Sequence, residues 1–430
     1  MLSYEDNNLL TRTGADTPGG DFFRRFWLPV LERAEIARPD SPQVRVRVLG
    51  EDLIAFRDSD GHAALVSAWC PHRGADLFYG RNEQGGLRCA YHGWKFDRTG
   101  QCVDLPNSRE GEVGKRNVRI RSYPTREYGG MIWAYLGPAD REPKMPDLGW
   151  GDSPDDHFLT QRLEMPGNYF QYIEGALDSS HVSFLHSSVA DQSSSLSEGE
   201  NFMPGQIYSD RSPIWEILDN TPYGLMAGAV RGSRESGNVR VSQYFLPCHI
   251  RIPMPVGAPS VSIFIVPADD EHSIVFSHNW KPHAAFSAEE RGFLARIGAH
   301  VELQPGTRKP IFTRENDYGL DREKQRTETF TGIPGVILED HAVQQVVKGQ
   351  LIADRSSEIL VQADKALVAG RQRMLAGIKA LMKDGNAVEA AEADHRWHAV
   401  DVQLKGRTPR DAIAETLRVE VETRDQHAAA

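Results

Sequence analysis

Two short segments, Cys70-Pro71-His72-Arg73-Gly74 and Cys89-Ala90-Tyr91-His92-Gly93-Trp94, constrain this chain more than any other feature. Together they read C-x-H-x16-C-x2-H, so each half offers one thiolate and one imidazole at loop spacing. The intervening Asn82-Glu83-Gln84-Gly85-Gly86 has hairpin character. Two finger loops that present Cys70, His72, Cys89 and His92 to one centre can hold a [2Fe–2S] cluster. One iron then takes both thiolates and the other both imidazoles, and the neutral ligands raise the reduction potential. The rival is a structural Cys2His2 zinc site. Zinc motifs pair Cys with Cys and His with His, whereas each half here mixes the two, and the iron–sulfur reading is preferred. Gly74 and Gly93 permit the close backbone approach that N–H bonds to cluster sulfurs require.

Such a cluster needs only a small module, but the chain has 430 residues, enough for about two to three domains. Residues 26–140 read as an all-β module, with short apolar runs such as Val44–Leu49, Leu53–Phe56 and Met131–Leu136 separated by Gly, Asp and Asn clusters. The Pro/Gly/Asp-rich stretch Gly137–Pro154 reads as a linker. Residues 150–385 read as an α+β domain: a helix through Tyr169–Leu185, strands from Ile214 to Trp280, and long helical periodicity over Ala342–Met382. Residues 1–25 form an N-terminal segment expected to pack on that second domain, and 386–430 a charged C-terminal extension that frays at the end. Lys plus Arg number 49 against 60 Asp plus Glu, a net charge of −11 that argues against nucleic-acid binding. Four cysteines and the absence of a basic-then-apolar leader in MLSYEDNNLL suit a cytoplasmic protein. Ile252–Ala268 is apolar, but its prolines and β-branched run make it strand and loop, so no membrane association is expected.

The cysteine–histidine pattern resembles the Rieske centre of the Rieske non-haem iron ring-hydroxylating oxygenases. Asn316-Asp317-Tyr318, Thr329-Phe330-Thr331-Gly332 and Asp354-Arg355-Ser356-Ser357-Glu358 are similar to the subgroup of phthalate dioxygenase oxygenase components, which also includes the dehydrodivanillate O-demethylases. The resemblance implies an α+β architecture overall: an all-β Rieske domain and a helix-grip catalytic domain with a mononuclear iron. Rieske electron carriers share the first motif, but they have no use for the residues that follow it.

Those residues include Asp178-Ser179-Ser180-His181 and, five positions on, His186. On an ideal helix two histidines five apart stand about 140° out of phase, so they converge only if the helix breaks between them. Asp178 lies on the side of His181 and can accept from its imidazole, as carboxylates behind metal-bound histidines do. Two imidazoles and one distant carboxylate make the facial arrangement that leaves open positions on Fe(II) for O2. The resemblance points to Ile337-Leu338-Glu339-Asp340-His341 at the start of the C-terminal helix, with Asp340 as the acidic ligand and Glu339 as the runner-up. His341 reads as a helix-surface residue or a group behind the ligands.

Asn168 reads either as a group near the iron or as a helix cap. Arg231, Arg234 and Arg240 fall in or near the strands expected to line the pocket. Arg231 and Arg240 are candidates to grip a substrate carboxylate, although an exposed strand arginine is the plainer reading. Asp354, Arg355 and Glu358 read as a helix-surface ion pair or subunit contact, Cys102 and Cys248 as small core residues, and Trp69, Trp94 and Trp133 as packing of the β module. The resemblance implies a homotrimer, fed by a flavin reductase carrying a plant-type ferredoxin. It would use O2 to dihydroxylate an aromatic, carboxylated substrate, with Asp178 bridging His181 to His92 of a neighbour. O-demethylation of a methoxylated aromatic acid is the alternative reaction, and a Rieske electron carrier or redox sensor the alternative function.

Overall fold

The computed structural model describes residues 2–109, 114, 117–151, 153–188, 207, 210–221, 223–255, 258–281, 284–385 and 399–416. The expected fraying at Arg424–Ala430 lies outside them. Two helices, α1 (Tyr4–Thr11) and α2 (Pro18–Phe23), open the chain, each capped at its start by a hydroxyl, that of Ser3 or Thr17. The β module follows in three small antiparallel sheets. One joins β1 (Trp27–Glu32), β10 (Thr125–Tyr128) and β11 (Met131–Tyr135). A second joins β2 (Val44–Val48), β3 (Glu51–Arg57), β4 (Ala63–Ser67) and β9 (Ser122–Tyr123). The third joins β5 (Arg81–Glu83), β6 (Gly86–Arg88), β7 (Lys95–Asp97) and β8 (Cys102–Asp104). In β2 the valines Val46 and Val48 are buried while Arg45 and Arg47 stay exposed, the alternation of a half-buried strand. The β2–β3 and β5–β6 turns, Leu49-Gly50 and Gln84-Gly85, both take positive φ at the two central residues, which matches the twist of a hairpin.

The second domain is built on a nine-stranded sheet. Its order is β12 (Phe158–Pro166), β19 (His272–Trp280), β18 (Ser260–Pro267), β16 (His249–Ile252), β15 (Asn238–Phe245), β14 (Gly224–Arg231) and β13 (Ile214–Thr221). β17 (Met254–Pro255) and β20 (Val400–Gln403) join beside β15. One face of the sheet carries α3 (Tyr169–Leu177), α4 (Val182–Leu185) and the long α8 (Lys365–Asp384). The peripheral helices are α5 (Ala288–Arg296), α6 (Arg322–Thr327) and α7 (Val336–Gln344). The N-terminal segment packs on this domain: Asn7 donates to the Ala353 carbonyl, Asp6 pairs with Lys379 of α8, and Phe22 lies against Gly377. Among the described residues no helix is long and apolar enough to cross a membrane.

The two domains share one core. Trp133 of β11 packs on Phe264 of β18 with ring centroids 5.2 Å apart. Buried Arg162 of β12 pairs with Glu35 at 2.7 Å, and its backbone N–H donates to Glu32 at 2.6 Å. The expected linker is part of this seam, because Leu148 and Trp150 are buried and the Trp150 indole packs tilted on the ring of His278, with centroids 4.7 Å apart. Burial pushes His278 down to about 3, with Arg251 and His300 adding to the effect. Unfolded, the imidazole titrates near its ordinary value of about 6.5, so the native state binds fewer protons between those two pH values. Stability contributed by the neutral ring is full above about pH 6.5 and falls as pH drops toward 3, a loss on the order of 2 kcal/mol by pH 5. Denaturant melts at pH 7 and pH 5 check this: the pH-dependent loss should shrink in His278→Gln.

Three sequence expectations change. The helix through Tyr169–Leu185 is two helices with an interruption at residues 178–181. The periodicity over Ala342–Met382 is likewise divided: α7 ends at Gln344 and α8 begins at Lys365. The chain between turns at Lys348-Gly349, where φ is 51° and 83°, and carries Arg355 inward. Arg355 is completely buried and donates to Glu174 of α3, while Arg371 of α8 bridges Glu174 and Glu358. Arg355 and Glu358 are therefore not a helix-surface pair. The interior ion network holds the loop that periodicity alone would have made helix. Finally, residues 400–403 are not a loose extension but a strand of the main sheet.

Candidate metal centres and substrate cavity

The two Cys–His loops are near copies of one another. Gly74 donates to the Cys70 carbonyl and Cys70 to that of Ala75; Gly93 donates to the Cys89 carbonyl and Cys89 to that of Trp94. Each turn needs φ near +70° at its glycine, 69° at Gly74 and 75° at Gly93, where a side chain would be strained. The loops bring the His72 and His92 rings to 4.5 Å between centroids, and His72 stacks flat on the Trp94 indole. Both cysteines are free and buried. Burial, with the neighbouring Cys89 adding, raises the Cys70 thiol to about 11. His72 Nδ1 is buried without a hydrogen-bond partner. Two buried sulfurs, that of Cys70 resisting ionisation unless a cation is supplied, beside an imidazole nitrogen with nothing to bond, fit a cluster of the mixed Cys/His type. Trp94 packs as expected, whereas Trp69 and Tyr91 are about half exposed beside the loops.

The second centre arises where α3 stops. Asp178 takes an extended conformation (ψ 116°), and its Oδ1 accepts from both the N–H and the hydroxyl of Ser180 at 2.7 Å. Its Oδ2 is thereby left facing His181 Nδ1 at 3.5 Å. Burial would raise the Asp178 carboxyl, but His181 and Ser180 outweigh it and hold it below the usual range. Across the cavity, α7 is placed by a backbone crossing at Gly298 and Gly335, so close that a Cβ on Gly298 would lie 2.4 Å from the Gly335 Cα. One turn into α7, Asp340 Oδ1 lies 3.5 Å from His181 Nε2 and 3.4 Å from His186 Nε2. Ligand atoms of His181, His186 and Asp340 thus surround one point, at the spacing of donors each about 2 Å from a metal. Glu339 turns the other way and meets His186 Nδ1 at 2.7 Å, while Thr331 donates to its second oxygen. Burial opposes charge on His186, yet Asp340 and Glu339 raise it to about 10, so the pocket holds a place for a cation. Among the described residues a second metal-like group, Asp58, Asp60 and His62, closes an ordinary turn in which Asp58 Oδ1 accepts the two backbone N–H groups.

A cavity of about 520 Å³ opens from this centre. Its floor is the sheet, with Val261, Ile263, Ile265 and Val275 facing in and Ser242 and Ser277 beside them. Helices α3, α5 and α7 supply the walls.

Residues 26–124 match the Rieske [2Fe-2S] domain, and residues 134–411 match the family described as LigXa C-terminal domain like. The chain is 36% identical over 404 residues to the phthalate 4,5-dioxygenase oxygenase subunit of Pseudomonas putida, covering 91% of this chain and 90% of that protein. The chain belongs to the Rieske oxygenases. A shorter match, 37% identical over 192 residues (43% of this chain, 44% of the other), is to the 5,5′-dehydrodivanillate O-demethylase oxygenase subunit of Sphingobium sp. (strain NBRC 103272 / SYK-6). The crystal structure of dicamba monooxygenase bound to 3,6-dichlorosalicylic acid shares the fold at TM-score 0.57 and 16% identity, over 84% of this chain and 98% of that one.

This Rieske oxygenase is the terminal oxygenase subunit of a multicomponent system and carries a Rieske cluster and a mononuclear iron. Several side chains fall elsewhere than the sequence suggested. Arg231 does not line the cavity: it is fully buried and bonds Ser179 and the Asp210 carbonyl. Arg240 does line it, but its charge is met by Asp401 of β20 at 2.9 Å. Arg234 is exposed on the β14–β15 turn. Asn168 caps α3 at the end away from the histidines and donates to the Thr11 and Asp270 carbonyls, so it has no place beside the iron. His341 is buried between Tyr172 and Tyr318 rather than on a helix surface, and burial lowers it to about 4. The role of Glu339 behind His186 was missed; adjacency to Asp340 hid it, since neighbours on a helix point in different directions.

Proposed function

We propose that Cys70, His72, Cys89 and His92 hold the cluster, that His181, His186 and Asp340 hold the iron, and that the enzyme hydroxylates an aromatic acid. The observation that carries this reading is the meeting of His181, His186 and Asp340 at one end of an apolar cavity. The iron supplies the open positions at which O2 is activated with electrons from the cluster. The chain does the rest. Glu339 is hydrogen-bonded to His186 Nδ1 and fixes its tautomer, and the Asp178 carboxylate stands behind His181 at 3.5 Å and orients it. The apolar floor excludes water and lays a flat ring beside the metal. At the rim, Arg296 has no carboxylate within ion-pair distance among the described residues, which favours a negatively charged substituent facing outward. O-demethylation is the second reading, favoured by the 37% identity to a demethylase subunit.

The electron donor is a flavin reductase with a plant-type ferredoxin, and the working form is a cytoplasmic homotrimer in which one cluster sits beside the next subunit's iron. Exposed aromatics support such docking: Trp69 and Tyr91 flank the cluster loops, and the Phe184–Phe330 pair flanks the iron. The test is oxygen uptake with a panel of aromatic acids, alongside iron analysis. About three irons per chain and substrate-dependent uptake are expected; about two irons and no uptake would leave only an electron carrier.

Asp178 connects the two centres in this scheme. Asp178→Asn keeps the shape but turns one acceptor into a donor. Both metals and the trimer should survive, and the cluster should reduce normally. Its reoxidation on adding substrate and O2 should slow by about tenfold or more, read by stopped-flow at the Rieske band. Recovery at the wild-type rate would take Asp178 off the path.

A further inference from the structure

Arg231, at the end of β14, is among the largest side chains buried completely. Its bonds go to neutral partners: Nη2 donates to the Ser179 carbonyl at 2.7 Å, Nη1 to the Ser179 hydroxyl at 3.1 Å, and Nε to the Asp210 carbonyl at 3.0 Å. Burial and nearby Arg240 lower it to about 10, which leaves it charged near neutral pH. A buried cation whose direct bonds go to carbonyls and a hydroxyl, with the carboxylates of Asp210, Asp401 and Asp178 acting only at longer range, is costly, and the place it holds is the gap between α3 and α4.

We propose that Arg231 is a positioning residue for the mononuclear iron, clamping the interruption at residues 178–180 so that His181 and His186 converge. The last carbonyls of a helix lack intrahelical partners, and a loop there could settle in several ways. Here each residue of the gap has its own partner. Asp178 is tied to Ser180, Ser180 receives the hydroxyl of Ser183 at its carbonyl, and Ser179, between them, is gripped on two atoms by Arg231. With the gap fixed, the five-residue spacing that no regular helix could bring to one face presents both imidazoles to Asp340. The fork of the guanidinium suits this task, because two parallel donors set an angle as well as a distance.

The inference rests on the iron-site reading above, and metal binding separates the two. Protein stripped of its mononuclear iron alone, with the cluster retained, is titrated with Co(II), and the Rieske spectrum is the control for folding. Wild type should take up one Co(II) at the second site; if it does not, the site reading fails, not the clamp. Arg231→Met should bind about tenfold more weakly or worse. Ser179→Ala, which loses the hydroxyl bond and keeps the carbonyl bond, should fall between wild type and Arg231→Met. Arg231→Lys, with the charge but no fork, should fall between, and it decides the matter if Arg231→Met does not fold. Wild-type Co(II) affinity in a folded Arg231→Met or Arg231→Lys overturns the proposal. So does a raised KM for the aromatic acid with unchanged metal affinity, which would return Arg231 to the substrate.

Discussion

Asp340→Ala is expected to purify with an intact Rieske spectrum, about two irons per chain in place of about three, and no substrate-dependent oxygen uptake. Two observations make the effect large. Asp340 Oδ1 is the atom both Nε2 nitrogens face, so its removal leaves two imidazoles and no anionic ligand. Moreover, His186 and His181 together hold Asp340 below the usual carboxylate range despite its burial, so the wild-type site is ready for a cation without first losing a carboxyl proton. Glu339→Gln tests the neighbour. It keeps the shape and removes the charge behind His186, so metal affinity should fall about 10- to 100-fold while the site survives. Iron analysis and EPR of both variants separate the roles. The reverse pattern, iron retained in Asp340→Ala and lost in Glu339→Ala, would exchange them.

The largest loss of stability is expected from Glu174→Ala. Glu174 is the acid between Arg355 and Arg371, accepting from Arg355 at 2.7 Å and from Arg371 at 2.5 Å, and all three are buried. Removing it leaves two guanidinium groups in the interior: Arg371 keeps Glu358, while Arg355 keeps only the Asn7 side-chain oxygen and the Ala353 carbonyl. Breaking such a network from one side costs about 3–5 kcal/mol. Urea unfolding followed by tryptophan fluorescence should show the midpoint drop accordingly. Arg326→Ala, which breaks the exposed Arg326–Glu323 pair on α6, should leave it where it was. An equal shift in the two variants would mean that the interior network is not holding the loop.

Local chemistry was legible in the sequence where it depends on spacing. The C-x-H and C-x2-H loops, the five-residue separation of His181 and His186, and the need for a broken helix between them follow from residue order alone, and the fold supplies that break at Asp178. What stayed hidden depends on partners distant along the chain. Arg355 could not be read as an interior residue because its carboxylate, Glu174, lies 181 positions away. Arg240 looked free because Asp401 lies 161 positions on, in a strand too short and charged to register as one. Trp150 sat in a Pro/Gly-rich stretch whose composition says linker, while the ring partners that bury it belong to three different strands. Periodicity reports which face of an element is apolar, not which polar groups will find each other.

Consider finally when the cavity becomes complete as the chain is made. Arg240 lies in its wall, and the acid that neutralises it comes from β20, which hydrogen-bonds to β15 beside it. Domains fold as units with the N-terminal parts available first, so the Rieske module can assemble while the second domain is still emerging. The wall at Arg240, by contrast, waits for residue 401. Until then its guanidinium is an uncompensated charge facing an apolar chamber, and the neighbouring Asn238 lacks the same carboxylate. A truncation before β20 would therefore not trim an appendage. It would leave the chamber in the state of a nascent chain, with its cluster domain formed and a bare cation where the finished enzyme has a neutral pair.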